Sequence, residues 1–522
     1  MLVKLNPGGI MTSTKPKMRN PQSAIPNPYR ALACLALVWA CGNAAAEQLP
    51  EAGPSKPKDL ASSASQKGGD DGLAKLKSEI RARQRAWADM LERETPGDNE
   101  EMLKGLSEKV YAQARDLAGN PETLRTALQR GVSVGLLLAV AAQRNPEVRA
   151  AYQNWRAAVR HFDQAWYLEE LVARSRAAAP ESDPKEAAPV RNKETPGKTY
   201  ATPAVLALKG QLLDVETELA QLRYRQAQRK AINAIAQQCV EIQHAAKVMT
   251  TLCETRTLFS QLAQNAQGQV EAGKALQPDT LRAASELAML DNRMARAELE
   301  WKNLVGRANI MLALPSGTQW GGLADTDLAA PKADPEQAAQ RARENSSKAL
   351  IAQKETELMR LMVRMARLEF LLRGQRSATP AVAEKLEAAN FSAVNAAYLE
   401  ELEVRLKEAE EMKEAAKADA EQEAAVALSL AEAAQQEWKS FSERILPLDM
   451  KAYDAAKTRH SSGETFFIDV LDAARTYLRD ALLKEDAQRD FRKALINLQD
   501  AQGSTASRLM SKGDTQSRTD AR

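Results

Sequence analysis

From Leu208 to Cys253 the apolar residues keep to a heptad. Leu208, Leu212, Val215, Leu219 and Leu222 alternate spacings of four and three. Ile232, Ile235, Cys239, Ile242, Ala246, Met249 and Cys253 then resume the same alternation. A run of this kind holds one helical face against a partner along its whole length, which is a coiled-coil seam and not a lone amphipathic face. It predicts a helix from about Ala204 to Gln267, and such a helix spans roughly 95 Å. An element that long demands neighbours of similar length, so the chain is expected to build long helical hairpins.

The rest of the composition agrees. Aromatic residues make up 5% of the 522, while Ala, Leu, Glu, Gln, Arg and Lys dominate. That is the usage of long helices, and the expected fold class is all-α. A formal charge of +3 gives no electrostatic case for nucleic acid. His161, His244 and His460 are scattered outside any metal-ligand spacing. No phosphate loop, dinucleotide fingerprint or nucleophile elbow occurs. No catalytic, metal or cofactor site is therefore expected. The charged run Glu400–Glu423 reads as a solvated helix face.

Near the N-terminus, Ala31–Cys41 is a short apolar run with Arg30 before it and Ala44-Ala45-Ala46 after it. It is too short to span a bilayer as a mature helix, and it reads as a signal peptide over residues 1–46. Val38-Trp39-Ala40-Cys41 opens a second route, partly resembling a lipoprotein box in which Cys41 would carry the lipid. Residues 47–72 read as a Pro/Ser/Gly-rich flexible linker. Residues 73–131 read as an N-terminal helical extension. Cys239 and Cys253 lie roughly 21 Å apart on a continuous helix, too far for an intrachain disulfide. Buried core thiols are the reading adopted.

Residues 132–318 and 335–503 follow one plan, joined by a Gly/Pro/Asp-rich connector at 319–334 and followed by a polar tail at 504–522 that is expected to be disordered. The first repeat opens at Asn145-Pro146-Glu147, a good helix start. It continues through the long helix, turns at Gly273, and returns from about Pro278 to Leu312. In the second, one helix covers about Pro335–Leu372, and a very long one covers about Phe391–His460 with a kink at Pro447. A turn at Gly463 leads into a last helix over about Phe467–Gln502. Gly273-x5-Asp279-x-Leu281-x-Ala283-Ala284 matches Gly463-x5-Asp469-x-Leu471-x-Ala473-Ala474, which points to a duplication.

At these residues a family resemblance becomes specific. Gly463-Glu464-Thr465-Phe466-Phe467-Ile468-Asp469-Val470-Leu471-Asp472-Ala473 resembles the second periplasmic turn of TolC-family outer-membrane efflux proteins. Ile445-Leu446-Pro447, Asn145-Pro146-Glu147-Val148-Arg149-Ala150-Ala151 and Pro203-Ala204-Val205-Leu206-Ala207-Leu208-Lys209-Gly210 are similar to other stretches of that family. The resemblance implies a homotrimer in which the hairpins form a periplasmic α-helical tunnel, a TolC-like α-barrel. It implies docking to a periplasmic adaptor and an inner-membrane pump, and transport without covalent chemistry. Asp469 and Asp472 match the family's pore-constricting acids, with Asp279 as the first-hairpin counterpart. In a trimer Asp469 and Asp472 would crowd like charges at one constriction, favour cations and raise carboxyl pKa values. Gly273 and Gly463 would mark the turns where the adaptor docks.

One part of the family pattern is missing. Each repeat should insert a pair of membrane strands between its first two long helices. The first slot, about Val172–Thr202, contains Pro180, Pro184, Pro189 and Pro196. The second, about Arg373–Asn390, is too short for two strands of about nine to eleven residues each. The β-barrel is therefore expected to be reduced or absent. An outer-membrane channel with a periplasmic extension and a barrel-less periplasmic scaffold derived from the same fold both remain open, the latter held at the membrane by a lipid on Cys41 or by a partner.

Overall fold

A computed structural model describes residues 66–93, 102–103, 106–177, 203–271, 277–324, 334–374, 388–462 and 464–509. The signal segment, Cys41, Gly273, Gly463 and the core of both strand slots lie outside them. The contacts divide the chain into two units: residues 1–55 with 370–396, and residues 56–369 with 397–522. Of the first, only helical ends at 370–374 and 388–396 are described. The second unit carries everything that follows.

It is built from helices; the described residues include no β-strand, only an isolated parallel bridge between Val132 and Leu323. The helices are α1 (Gln66–Arg93), α2 (Glu108–Gly119), α3 (Pro121–Arg130), α4 (Val134–Arg144), α5 (Pro146–Ala177), α6 (Pro203–Glu271) and α7 (Gln277–Met311). There follow α8 (Pro335–Asn345), α9 (Ser347–Gly374), α10 (Ala388–Lys439), a π turn (Ser440–Ile445), α11 (Leu446–Ser461), α12 (Phe467–Ala501) and a short 3-10 helix (Ala506–Leu509). Pro146 stands in the first turn of α5, and the Asn145 side chain accepts from Glu147 N at 2.9 Å. The expected start signal thus caps the helix.

Long α6 is the axis of the packing. It runs antiparallel to α7, and α12 packs antiparallel along its other side. Polar pairs cross the α6–α12 seam beside its apolar contacts: Asn233 donates to Asp500 at 2.8 Å, Gln237 to Asn497 at 2.7 Å, and Lys493 pairs with Glu241 at 2.6 Å. Short apolar α4 inserts against α6 and buries Leu136, Leu137, Leu138 and Val140. Between Leu219 and Ala245 only Lys230 is exposed, so this part of α6 is covered on all sides. Nearer the turn the heptad drifts. Ala245, Leu252, Thr255, Phe259 and Leu262 are buried there, in place of the expected Ala246, Met249 and Cys253. Two successive three-residue steps (Cys239 to Ile242 to Ala245) act as a stammer that re-aims the seam. Cys239 is a buried core thiol, pushed up to about 12 by burial, whereas Cys253 is exposed.

Four boundaries differ from expectation. Helix α1 begins at Gln66, inside the stretch read as linker. Its C-terminal part packs on α5 and α6, where Arg83 pairs with Asp214 at 2.7 Å and Tyr152 Oη donates to Leu91 O at 3.1 Å. The helix over 335–372 is two helices broken at Ser346, because Asn345-Ser346-Ser347 repeats the break at Arg144-Asn145-Pro146. Residues 504–509 are not a disordered tail. Ser504, Thr505, Ala506, Ser507 and Leu509 are buried, since Ala506 N donates to Asn233 at 2.9 Å and Ser507 to Met102 O at 3.1 Å. Gly503, at φ +73, approaches Asn345 O too closely for any Cβ. Finally, the Glu400–Glu423 face is partly an ion-paired seam: Glu403 binds Arg367 and Glu410 binds Arg360 of α9, both at 2.7 Å. Such exposed pairs set register more than stability.

Candidate functional site: the turn of the second hairpin

α11 and α12 meet at residues 462–466. Ser462 N donates to Thr458 O at 3.1 Å and Glu464 N to Arg459 O at 2.8 Å, closing the end of α11. His460 Nδ1 lies 3.0 Å from Thr465 O, and its ring sits edge-on to Phe467 at 5.9 Å. Phe467, Val470, Leu471 and Ala474 then drive into an apolar cluster with Leu252, Phe259 and Leu262 of α6. The turn is thereby held against the first hairpin. Phe466 alone points away, 80% exposed.

Both acids expected at a constriction are exposed on one side of α12. Asp469 accepts from Phe466 N at 3.1 Å, so it also caps the helix it begins. Asp472 pairs with Arg475 at 2.9 Å. Arg475 reaches across to Glu286 of α7, its Nε donating at 3.0 Å to a carboxylate that is largely buried. Hydrogen bonds from Glu286 and then Asp472 hold this guanidinium above its ordinary range. Arg475 therefore offsets much of the charge of Asp472 and leaves Asp469 as the uncompensated carboxylate of the turn. In the first hairpin, Asp279 is half-buried with Arg282 at 3.5 Å. Arg282 stands where the repeat places Asp472, so the two turns carry different charge.

The Arg475–Glu286 bridge escaped sequence reasoning. The two residues are distant in the chain, and only the parallel run of α7 and α12 brings them together. The repeat offset could have pointed to it, because the two positions nearly correspond.

No family model and no curated protein matches this chain. Solved structures do. The outer-membrane channel OprN aligns with a TM-score of 0.55 at 16% identity, covering 79% of this chain and 95% of that one. CusC, described in terms of folding and transmembrane channel formation, gives 0.54 at 15% identity over 73% and 94%. The outer membrane protein VceC of Vibrio cholerae gives 0.53 at 14% identity over 71% and 96%. At these identities the likeness defines the fold: it is that of the TolC-type outer-membrane channels. In this chain the described residues supply its helical part.

Proposed function

We propose that this chain is the protomer of a TolC-type efflux assembly in the cell envelope, a homotrimer whose hairpins close into a helical tunnel. The observation that carries this is the one-sided burial of α7. Along much of its length it buries one residue in seven, Ala283, Leu290, Ala297 and Leu304, against α6. Leu281, Leu299 and Ile310 are left 60–65% exposed. Across the row of helices α7–α6–α12–α11, the opposite edge also exposes apolar side chains: Leu430 at the end of α10 and Leu448 and Met450 on α11. A monomer with two apolar edges satisfies both by meeting copies of itself head to tail, and such contacts form a ring when the rotation between copies closes.

In that ring Asp469 and Asp472 sit at a constriction near the turns, with Asp279 beside them, and Gly273 and Gly463 mark the end offered to a periplasmic adaptor that joins it to an inner-membrane pump. Cys41 is the candidate lipid anchor at the outer membrane. The barrel-less reading keeps the assembly and removes the channel. What favours it is the short connector 375–387 between α9 and α10, too brief for two membrane strands. Planar bilayers separate the two. A cation-selective conductance that changes in Asp469→Asn supports transport, and its absence from trimeric protein would sink it.

A further inference from the structure

α10 is buried along one side and bare along another. Leu402, Ala420, Ala424 and Leu428 face inward. Val404, Glu408, Met412, Asp419 and Val426 recur on the outside at steps of four and seven, with Glu411 beside them. Val404 and Met412 are 64% and 62% exposed. Apolar side chains repeated at such steps form a seam, and one this exposed is built for a partner. The seam is also acidic, since ten acids and only four bases lie from Glu400 to Glu423. Glu403, Glu410, Glu421 and Glu423 are taken inward by Arg367, Arg360, Arg343 and Lys348. At the margins Arg405 pairs with Glu401 at 2.5 Å, and Lys407 is exposed. That leaves Glu408, Glu411 and Asp419 on the open face.

α5 carries a face of the opposite kind. Arg149, Gln153, Arg156 and Arg160 follow at steps of four and three, all exposed. No acid falls between Glu147 and Asp163. Arg156 donates to the neutral Gln153 side chain at 3.2 Å, which leaves its charge uncancelled. The two faces also share a level. Tyr152 of α5 lies 5.5 Å from Tyr224 of α6, ring to ring. Next to it Arg223 pairs with Glu355 of α9 at 2.9 Å, and Thr356 Oγ1 donates to Ala409 O of α10 at 3.0 Å. These rungs cross α5, α6, α9 and α10 in turn, with α5 and α10 at the two ends of the row. They bring Tyr152 and Ala409 level to within about one helical turn.

We propose that the open seam of α10 docks on the basic face of α5 of a second copy, and that this charge pairing makes the contact head to tail. The proposal rests on the ring reading and names the surfaces by which one copy selects the next. Rotation about an axis along the helices moves no residue along that axis. Arg149 and Arg156 of one copy therefore come level with Glu408 and Glu411 of the next. Two α10 seams meeting about a two-fold axis would instead crowd carboxylates together, so the pattern works against the closed dimer as well as for the ring.

Sedimentation velocity of the full chain at about 0.15 M salt tests this by charge exchange. Glu408→Arg/Glu411→Arg and Arg149→Glu/Arg156→Glu should each weaken self-association about tenfold or more. The chain carrying all four changes should recover it, because every contact between copies is again complementary. That recovery guards against misfolding of either pair. The losses should also shrink at about 1 M salt. Association unchanged in both pairs, or lost without recovery in the four-residue variant, overturns the seam while a wild-type trimer leaves the ring reading standing. A wild-type chain that never associates overturns both.

Discussion

Leu281 and Leu471 hold the same place in the two copies of one turn motif, yet Leu281 is 65% exposed and Leu471 is fully buried. The contrast runs along both return helices. α7 rests on α6 alone over much of its length, while α12 is wedged between α6 and α11 and buries Phe467, Leu471, Leu478, Phe491 and Leu495. Duplicated sequence thus gives one interior hairpin arm and one edge arm. The same split appears in charge, where the first turn pairs Asp279 with Arg282 and the second turns Asp469 to capping α12. It appears again in continuity, since among the described residues the π turn lies in the second hairpin. On the proposed reading the edge arm meets a copy, while the interior arm holds the turn against the first hairpin.

Truncating the two leucines tests this most sharply. Leu471→Ala should cost about 2–5 kcal/mol in denaturant unfolding of the isolated chain. Leu281→Ala should change it by less than about 0.5 kcal/mol and weaken self-association instead. Equal losses would erase the distinction between the arms.

The first hairpin also carries a carboxyl raised by burial. Burial lifts Glu216 on α6 to about 7, above its ordinary value of 4.5. A raised carboxyl stabilises the fold at low pH and loses that contribution as pH climbs from the ordinary value through the raised one. Glu216→Gln should therefore stabilise the protein at pH 8 by about 3 kcal/mol relative to wild type. The gain should vanish below about pH 4.5. A gain independent of pH would remove burial as the cause.

Smaller effects belong to the turn. Arg475→Gln breaks the bridge between Asp472 and buried Glu286 and should cost about 1–2 kcal/mol. The matching change Arg282→Gln in the first turn should be near neutral. Asp469→Ala removes a cap and should cost about 1 kcal/mol by thermal unfolding.

Much of this was legible in the chain. Periodicity located α6, and Pro146, Pro278 and Pro335 marked helix starts because proline fits a first turn and little else. Repetition around Gly273 and Gly463 revealed the two hairpins. What escaped depends on neighbours distant in sequence. Cys253 satisfied the heptad, but the partner helices shift the seam past Ala245 and leave it outside. Ser504 and Thr505 are polar, and only the carbonyls and amides of α6, α12 and Met102 make them a buried staple. Asp469 and Asp472 are visible as a pair, whereas the unequal compensation of the second by Arg475 needs α7 alongside.

The proposed ring requires the edge arms to close on copies of the same chain. Ile310 of α7 and Leu430 of α10 lie on opposite edges, 61% and 59% exposed. The most direct measurement is oxidative cross-linking of the double variant Ile310→Cys/Leu430→Cys, with each single variant as control. A covalent ladder ending at the trimer is expected in the double variant, and none through these positions in the controls. A folded double variant that stays monomeric under oxidation would contradict it.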